Sequence, residues 1–150
     1  MRIVIQRVKR ASVSTADNYF VKIGKGLLVL LGVGCTDDQS DVDWLAQKLV
    51  SLRIFDDENG VMNLSVQDIK GEILLISQFT LLARTKKGNR PSYLDAASPD
   101  ISIPLYKSFT KKLEELLQRE VSTGVFGANM EVELINDGPV TIIIDSKNRQ

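Results

Sequence analysis

The chain has 150 residues, 43% hydrophobic and 25% charged, with 19 Lys+Arg against 19 Asp+Glu. It contains no histidine and a single cysteine, Cys35. These counts exclude an internal disulfide framework, a structural zinc site, the His-containing zinc hydrolases and every Ser–His–Asp or Cys–His nucleophile pair. The balanced charge argues against a wide basic face that coats nucleic acid, while leaving open a local grip on one end of it.

Residues Ile3, Ile5 and Val8 with Ala11-Ser12-Val13-Ser14 predict an extended strand, Asp17-Asn18 a turn, and Tyr19 to Ile23 a return strand. Gly24-Lys25-Gly26 reads as a tight reversal into Leu27–Val33, an apolar run of the kind buried on both faces. Cys35, at the end of that run, reads as a small buried hydrophobe. Val42, Leu45, Ala46, Leu49 and Leu52 follow helical spacing, so 40–52 reads as an amphipathic helix capped by Ser40, with Trp44 packing beside its stripe. Asp56-Asp57-Glu58-Asn59-Gly60 lacks the spacing and distal Glu of a calcium loop and reads as a solvated turn. Gly71 to Ala83 reads as a second buried strand, followed by the basic loop Thr85–Tyr93. A second helix follows, with Pro104 in its first turn, Ser102 as cap, and Leu105, Phe109, Leu113, Leu116 and Leu117 on one face. Two last strands, Met130–Ile135 and Val140–Asp145, are joined by Asn136-Asp137-Gly138-Pro139. The result is one α/β domain over residues 1–150, with two helices and about six or seven strands. A chain of this size buries about two-thirds of its unfolded surface, so no metal or disulfide staple is required. The apolar run at Met1 ends too early for a signal peptide, and Leu27–Leu31 falls far short of the ~20 residues that span a bilayer. The expectation is a cytoplasmic protein without membrane contact.

Three segments depart from what packing alone requires. Ser77-Gln78-Phe79-Thr80 puts polar groups in an apolar segment. Either Ser77 and Thr80 bond nearby backbone while Gln78 faces solvent, or the strand end opens into a pocket whose N–H groups and hydroxyls bind a carbonyl oxygen. A Thr80 nucleophile would need a base, and no histidine exists to serve. Lys86-Lys87-Gly88-Asn89-Arg90-Pro91-Ser92-Tyr93 offers phosphate contacts and an aromatic ring for a base; otherwise it is a solvated loop, and it lacks the P-loop pattern. Asn136-Asp137-Gly138-Pro139-Val140-Thr141 suffices for a plain turn, and its Gly-Pro bond is one that adopts either isomer at low cost.

Taken in order, Met1–Val8, Ser77-Gln78-Phe79-Thr80-Leu81, Lys87–Ser92, Gly124–Met130 and Asn136–Thr141 resemble the D-aminoacyl-tRNA deacylase family over essentially the whole chain. Tyr93 stands where the family more often has Phe. The resemblance implies a homodimer with a three-layer α/β/β fold of mixed and antiparallel sheets and two main helices. It implies an ester hydrolase, without cofactor or metal, that removes D-amino acids and glycine from the 3′-terminal adenosine of tRNA. The active sites are implied at the subunit interface: Ser77, Gln78, Phe79 and Thr80 from one subunit, and a cis Gly138-Pro139 from the other that rejects L-amino acids. Backbone around Phe79 and Thr80 would bind the carbonyl. Phe126, Ala128 and Met130 would hold the adenine, with Lys87, Asn89 and Arg90 on the RNA end. Two nucleophile assignments fit this resemblance, Thr80 or a water activated by the terminal 2′-hydroxyl, and the second accords with the missing base. The competing readings are a noncatalytic RNA-end or nucleotide-binding module and a DNA-unwinding-element-binding protein, the latter weakened by the zero net charge.

Overall fold

In the computed structural model, which describes residues 1–149, strand β1 runs unbroken over Arg2–Thr15. Its early residues Ile3 and Ile5 lie in one apolar cluster, and its later residues Val8, Ala11 and Val13 lie in another. The change of side falls where the ladder to the last strand shifts register, between Gln6 and Arg10. Such a shift turns the side chains of a strand to the opposite face.

Strands β2 (Phe20–Ile23) and β3 (Gly26–Gly32) both run antiparallel to β1, from Ser14↔Phe20 to Arg2↔Gly32. Gly24-Lys25-Gly26 is therefore not a reversal, because the chain carries on along the same edge of β1. The Gly24 N–H donates to the Glu72 carboxylate at 2.6 Å, and Lys25 O accepts from the Glu72 N–H at 3.0 Å. These bonds hold the segment extended against a neighbouring strand.

Helix α1 (Gln39–Ser51) follows, then a short hairpin of β4 (Phe55–Asp56) and β5 (Met62–Leu64) enclosing the expected turn. Strand β6 (Glu72–Ser77) pairs parallel with β3; helix α2 (Pro99–Leu117) then crosses to β7 (Ser122–Thr123), parallel to β6. The last strand, β8 (Met130–Asp145), lies antiparallel to β1 from Thr15↔Met130 to Arg2↔Asp145. The eight strands among the described residues exceed the expected number because β4, β5 and β7 are too short to leave a periodic pattern.

Both helices cover one face of the sheet: Val42, Leu45, Leu49, Phe109 and Leu113 are fully buried there with Ile3, Ile5, Val29 and Leu75. On the opposite face Leu28, Leu74 and Ile76 meet Val8, Ala11, Val13 and Ile23, where the far half of β1 folds back with β2 and the start of β8. The helices, the sheet and its folded-back half form the expected α/β/β layers. Each fully buried Leu, Ile or Phe contributes ~1.5–3 kcal/mol. No helix among the described residues is long and apolar enough to cross a membrane.

Further local expectations are corrected. Asp38, not Ser40, caps α1: its carboxylate accepts from the Ser40 N–H at 2.8 Å, and Asp41 returns the bond to the Asp38 N–H at 2.9 Å. Helix α2 starts at Pro99 after Ser98, so Pro104 lies inside the helix and Ser102 is a buried residue whose hydroxyl donates to Ser98 O at 3.0 Å. Pro99 has the better claim on the first turn, where a missing N–H costs nothing. Cys35 is exposed, since its backbone N–H donates to Asp95 O and the chain there has already left the sheet. Two more corrections, the end of β6 and the course of β8, bear on the site.

Candidate functional site

Strand β6 stops at Ser77 instead of extending to Ala83, and Phe79–Leu82 wind into a single 3-10 turn. The Gln78 N–H still donates to Leu31 O on β3 at 2.8 Å, which fixes where the turn begins. Within it the Leu81 N–H bonds Gln78 O and the Ala83 N–H bonds Thr80 O. The first N–H groups of any helix have no partner inside it. Here the Phe79 and Thr80 N–H groups find no acceptor among the described residues. They are two adjacent donors, side by side and unspent.

The turn is held from two sides. The Arg2 guanidinium donates to Leu81 O at 2.7 Å and to the Asp145 carboxylate at 3.0 Å. Burial pushes the Asp145 carboxyl up, but the Lys147 N–H and Arg2 outweigh it and hold the group below the usual carboxylate range. On the other side Gly32 lies so close that an added Cβ would stand 3.0 Å from Gln78 O and 3.1 Å from the Leu81 Cβ. Only a glycine lets β3 and the turn approach this far.

Beside the turn lies a cavity of about 280 Å³. Its lining combines apolar Leu31, Val33 and Ile76 with Ser77, Gln78 and Phe79 at the end of β6, and with Phe126, Ala128 and Met130 leading into β8. Tyr106 of α2 also lines it, donating its hydroxyl to Leu75 O at 3.0 Å and meeting Phe126 edge to face with ring centroids 5.5 Å apart. Burial raises the Tyr106 phenol above its usual range, so it stays a protonated donor. Thr80 is next to the cavity without lining it, and its Oγ1 accepts a bond from the Gln78 amide. No carboxylate or amine of the described residues reaches that hydroxyl.

The remaining candidates are not at the cavity of their own chain. Lys87, Asn89 and Arg90 lie on an exposed loop closed by paired backbone bonds between Arg84 and Ser92 at 2.8 and 3.0 Å. The loop is joined to the site by Tyr93, whose ring packs edge to face on Phe79 with centroids 5.0 Å apart.

Gly138 and Pro139 are not in a turn between two strands. Residues 130–145 form one strand, and the chain between Asn136 and Thr141 bulges out opposite Arg7, because β1 spends one residue where β8 spends four. The Gly138–Pro139 bond is cis, and Gly138 has φ +133°, a conformation only glycine adopts freely. Inside the bulge the Val140 N–H donates to the Asn136 side chain at 2.8 Å. Arg7, 6% exposed, donates to Asp137 O at 2.9 Å and to Ile54 O at 2.7 Å, and pairs with Asp56 at 3.3 Å. β8 pairs only with β1 among the named strands, so its outer edge is open over its 16 residues.

Sequence reasoning passes over Arg2, Arg7, Gly32 and Tyr106. A signal existed for Arg7: it shares parity with Ile3 and Ile5, which places a cation on a core-facing position where it requires acceptors. Tyr106 at helical spacing looks like any core aromatic.

A family model for D-Tyr-tRNA(Tyr) deacylase matches residues 4–145. A protein of Flavobacterium psychrophilum named D-aminoacyl-tRNA deacylase is 60% identical over 150 residues, covering 100% of both chains. One of Bacteroides thetaiotaomicron with the same name is 59% identical over the same 150 residues. Among solved structures, a c-Myc DNA unwinding element binding protein superposes with a TM-score of 0.89 at 39% identity, covering 97% of this chain and 98% of that one. A structure described as a probable eukaryotic D-amino acid tRNA deacylase gives 0.84 at 15% identity over 95% and 97%, a likeness of fold.

Proposed function

The chain belongs to the D-Tyr-tRNA(Tyr) deacylase family and is a D-aminoacyl-tRNA deacylase, a hydrolase, and on that premise we propose how its site works. The substrate is the ester between a D-amino acid or glycine and the terminal adenosine of tRNA, met in the cytoplasm. Water adds to the ester carbonyl carbon, the bond to the ribose 3′-oxygen breaks, and that oxygen leaves with a proton. Free amino acid and tRNA result, with no cofactor.

The observation that carries this reading is the unspent pair of N–H groups at Phe79 and Thr80, beside a cavity sized for a small group. Donors already aimed at a developing oxyanion need no reorganisation during reaction and contribute roughly 3–4 kcal/mol each. The terminal adenine lies against Phe126, Ala128 and Met130, and Ser77 and Gln78 line the same cavity. Thr80 Oγ1 is held by the Gln78 amide, which offers a proton and takes none, so Thr80 is not the nucleophile. The vicinal 2′-hydroxyl of the RNA activates the water instead.

Chirality is read by exclusion. The Gly138-Pro139 bulge does not line its own chain's cavity, while β8 presents an open edge over the same region. A second copy completes the site with its bulge, which blocks side chains of L configuration and ignores glycine. On this reading the chain works as a homodimer with interface active sites.

The test uses Thr80→Ala and a substrate ending in 2′-deoxyadenosine. Thr80→Ala is expected to retain substantial hydrolysis of D-aminoacyl-tRNA, and the deoxy substrate to lose it. A folded, tRNA-binding but inactive Thr80→Ala enzyme reverses the assignment. The name of the 39% identical relative favours a second reading, binding of a DNA element, which predicts retention of duplex DNA and no chiral difference in ester loss.

A further inference from the structure

Outside the cavity's mouth, the surface built by residues 79 and 84–94 has a composition that packing does not explain. Leu94 is 81% exposed, Phe79 56% and Tyr93 39%. The two rings meet edge to face at 71°, which leaves ring faces uncovered. Lys86, Lys87 and Arg90 are exposed alongside and make no ion pair among the described residues. The one carboxylate between Arg84 and Leu94's neighbour, Asp95, is already paired with Arg84, which holds its carboxyl below the usual range.

This surface is fixed to the site. The Arg84–Ser92 bonds close the loop, the Ala97 N–H donates to Val33 O at 2.9 Å, and Val33 lines the cavity. Free cations, free ring faces and no free carboxylate are the combination that suits single-stranded nucleic acid. Phosphates take the charge, and bases of any sequence stack on the rings. An acidic peptide would use the cations and leave the ring faces idle.

We propose that Phe79, Tyr93 and Leu94 with Lys86, Lys87 and Arg90 form the seat for the unpaired nucleotides preceding the terminal adenosine. The proposal rests on the tRNA reading above and adds to it a subsite remote from the ester. The loop delivers the RNA end to the cavity, while the cavity itself sees only the aminoacylated adenosine. Phe79 serves both, with its N–H in the cavity and its ring on the seat.

The experiment compares two substrates, D-aminoacyl-tRNA and 3′-O-(D-aminoacyl)adenosine, which lacks those nucleotides. The variants are Tyr93→Leu, Tyr93→Phe, and the triple Lys86→Ala, Lys87→Ala, Arg90→Ala. Tyr93→Leu is expected to lower kcat/KM on the tRNA about tenfold through lost stacking. Tyr93→Phe should restore it. The triple variant should flatten the log–log salt dependence on tRNA by about 2, at roughly 0.7 per phosphate contact on a single strand. None should change the rate on the adenosine ester. Equal losses on both substrates, no loss on either, or a dimer that dissociates with Tyr93→Leu overturns the proposal, the last by assigning the patch to a second copy. A wild-type enzyme that hydrolyses neither substrate refutes the deacylase reading itself.

Discussion

Gly32→Ala puts a methyl group where β3 meets the 3-10 turn. Its Cβ would stand 3.0 Å from Gln78 O and 3.1 Å from the Leu81 Cβ, and inside the contact radius of the Leu82 Cδ2. Carbon contacts settle at about 3.5–4.0 Å, so the turn must retreat by roughly 0.5 Å. Leu82 is able to swing aside, being the far end of a side chain. Gln78 O cannot, since its residue is pinned to Leu31 O by its own N–H at 2.8 Å. Overpacking of this kind costs about 1–3 kcal/mol. The same displacement shifts the Phe79 and Thr80 N–H groups away from the place proposed above for the carbonyl oxygen. A 1 Å misplacement costs on the order of 10²-fold, so half of that predicts about a tenfold loss. Single-turnover hydrolysis of D-aminoacyl-tRNA should show kcat and kcat/KM falling together, the mark of an interaction made in the transition state. Denaturant unfolding measures the stability change separately. The double variant Gly32→Ala, Leu82→Ala should recover part of the stability and none of the kcat, because the Gln78 carbonyl stays crowded. Wild-type kcat in the folded single variant would refute the claim that the close approach at Gly32 positions the donors.

Arg7→Ala removes the cation that holds the Asp137 and Ile54 carbonyls; leaving them unpaired should cost about 2–4 kcal/mol by denaturation. The freed bulge should also raise hydrolysis of L-aminoacyl-tRNA relative to D, and an unchanged chiral ratio would sever the link between Arg7 and selection. Asp41 gives a pH dependence: burial raises its pKa, but the Lys147 ammonium and Ser146 hydroxyl, each at 2.7 Å, bring it from 3.8 down to about 2. A carboxyl more acidic in the folded state stabilises the fold above its unfolded pKa. About 2 kcal/mol should therefore be present above pH ~4 and be lost as the pH falls toward ~2. Urea midpoints across that range should drop, and Asp41→Asn should flatten the slope there.

Local features were legible in the amino-acid sequence because each lies within one window. The apolar run at Leu27–Leu31 gives the buried strand, the spacing of Val42, Leu45 and Leu49 gives the first helix, and Phe109 and Leu113 the inner face of the second. The order of motifs gives the family, and the missing histidine rules out the common hydrolytic bases before any coordinate is known. Where the reading slipped, two local signals competed. Asp38 and Ser40 both qualify as caps, and Ser98-Pro99 and Ser102 with Pro104 both qualify as a helix start.

What tertiary structure alone decided lies at long range. Residues 78–82 are apolar enough to extend β6, yet they turn because Arg2, 79 residues away, takes Leu81 O and Gly32 admits the turn against β3. Asn136–Pro139 reads equally as a turn, yet β8 passes through it, since β1 pairs on both sides and Arg7, 130 residues from Asp137, anchors the excess. A periodicity records which face a residue buries, but it does not record which distant carbonyl a buried guanidinium must find. The 3-10 turn at Phe79–Leu82 and the bulge at Asn136–Thr141 both depend on that second kind of information.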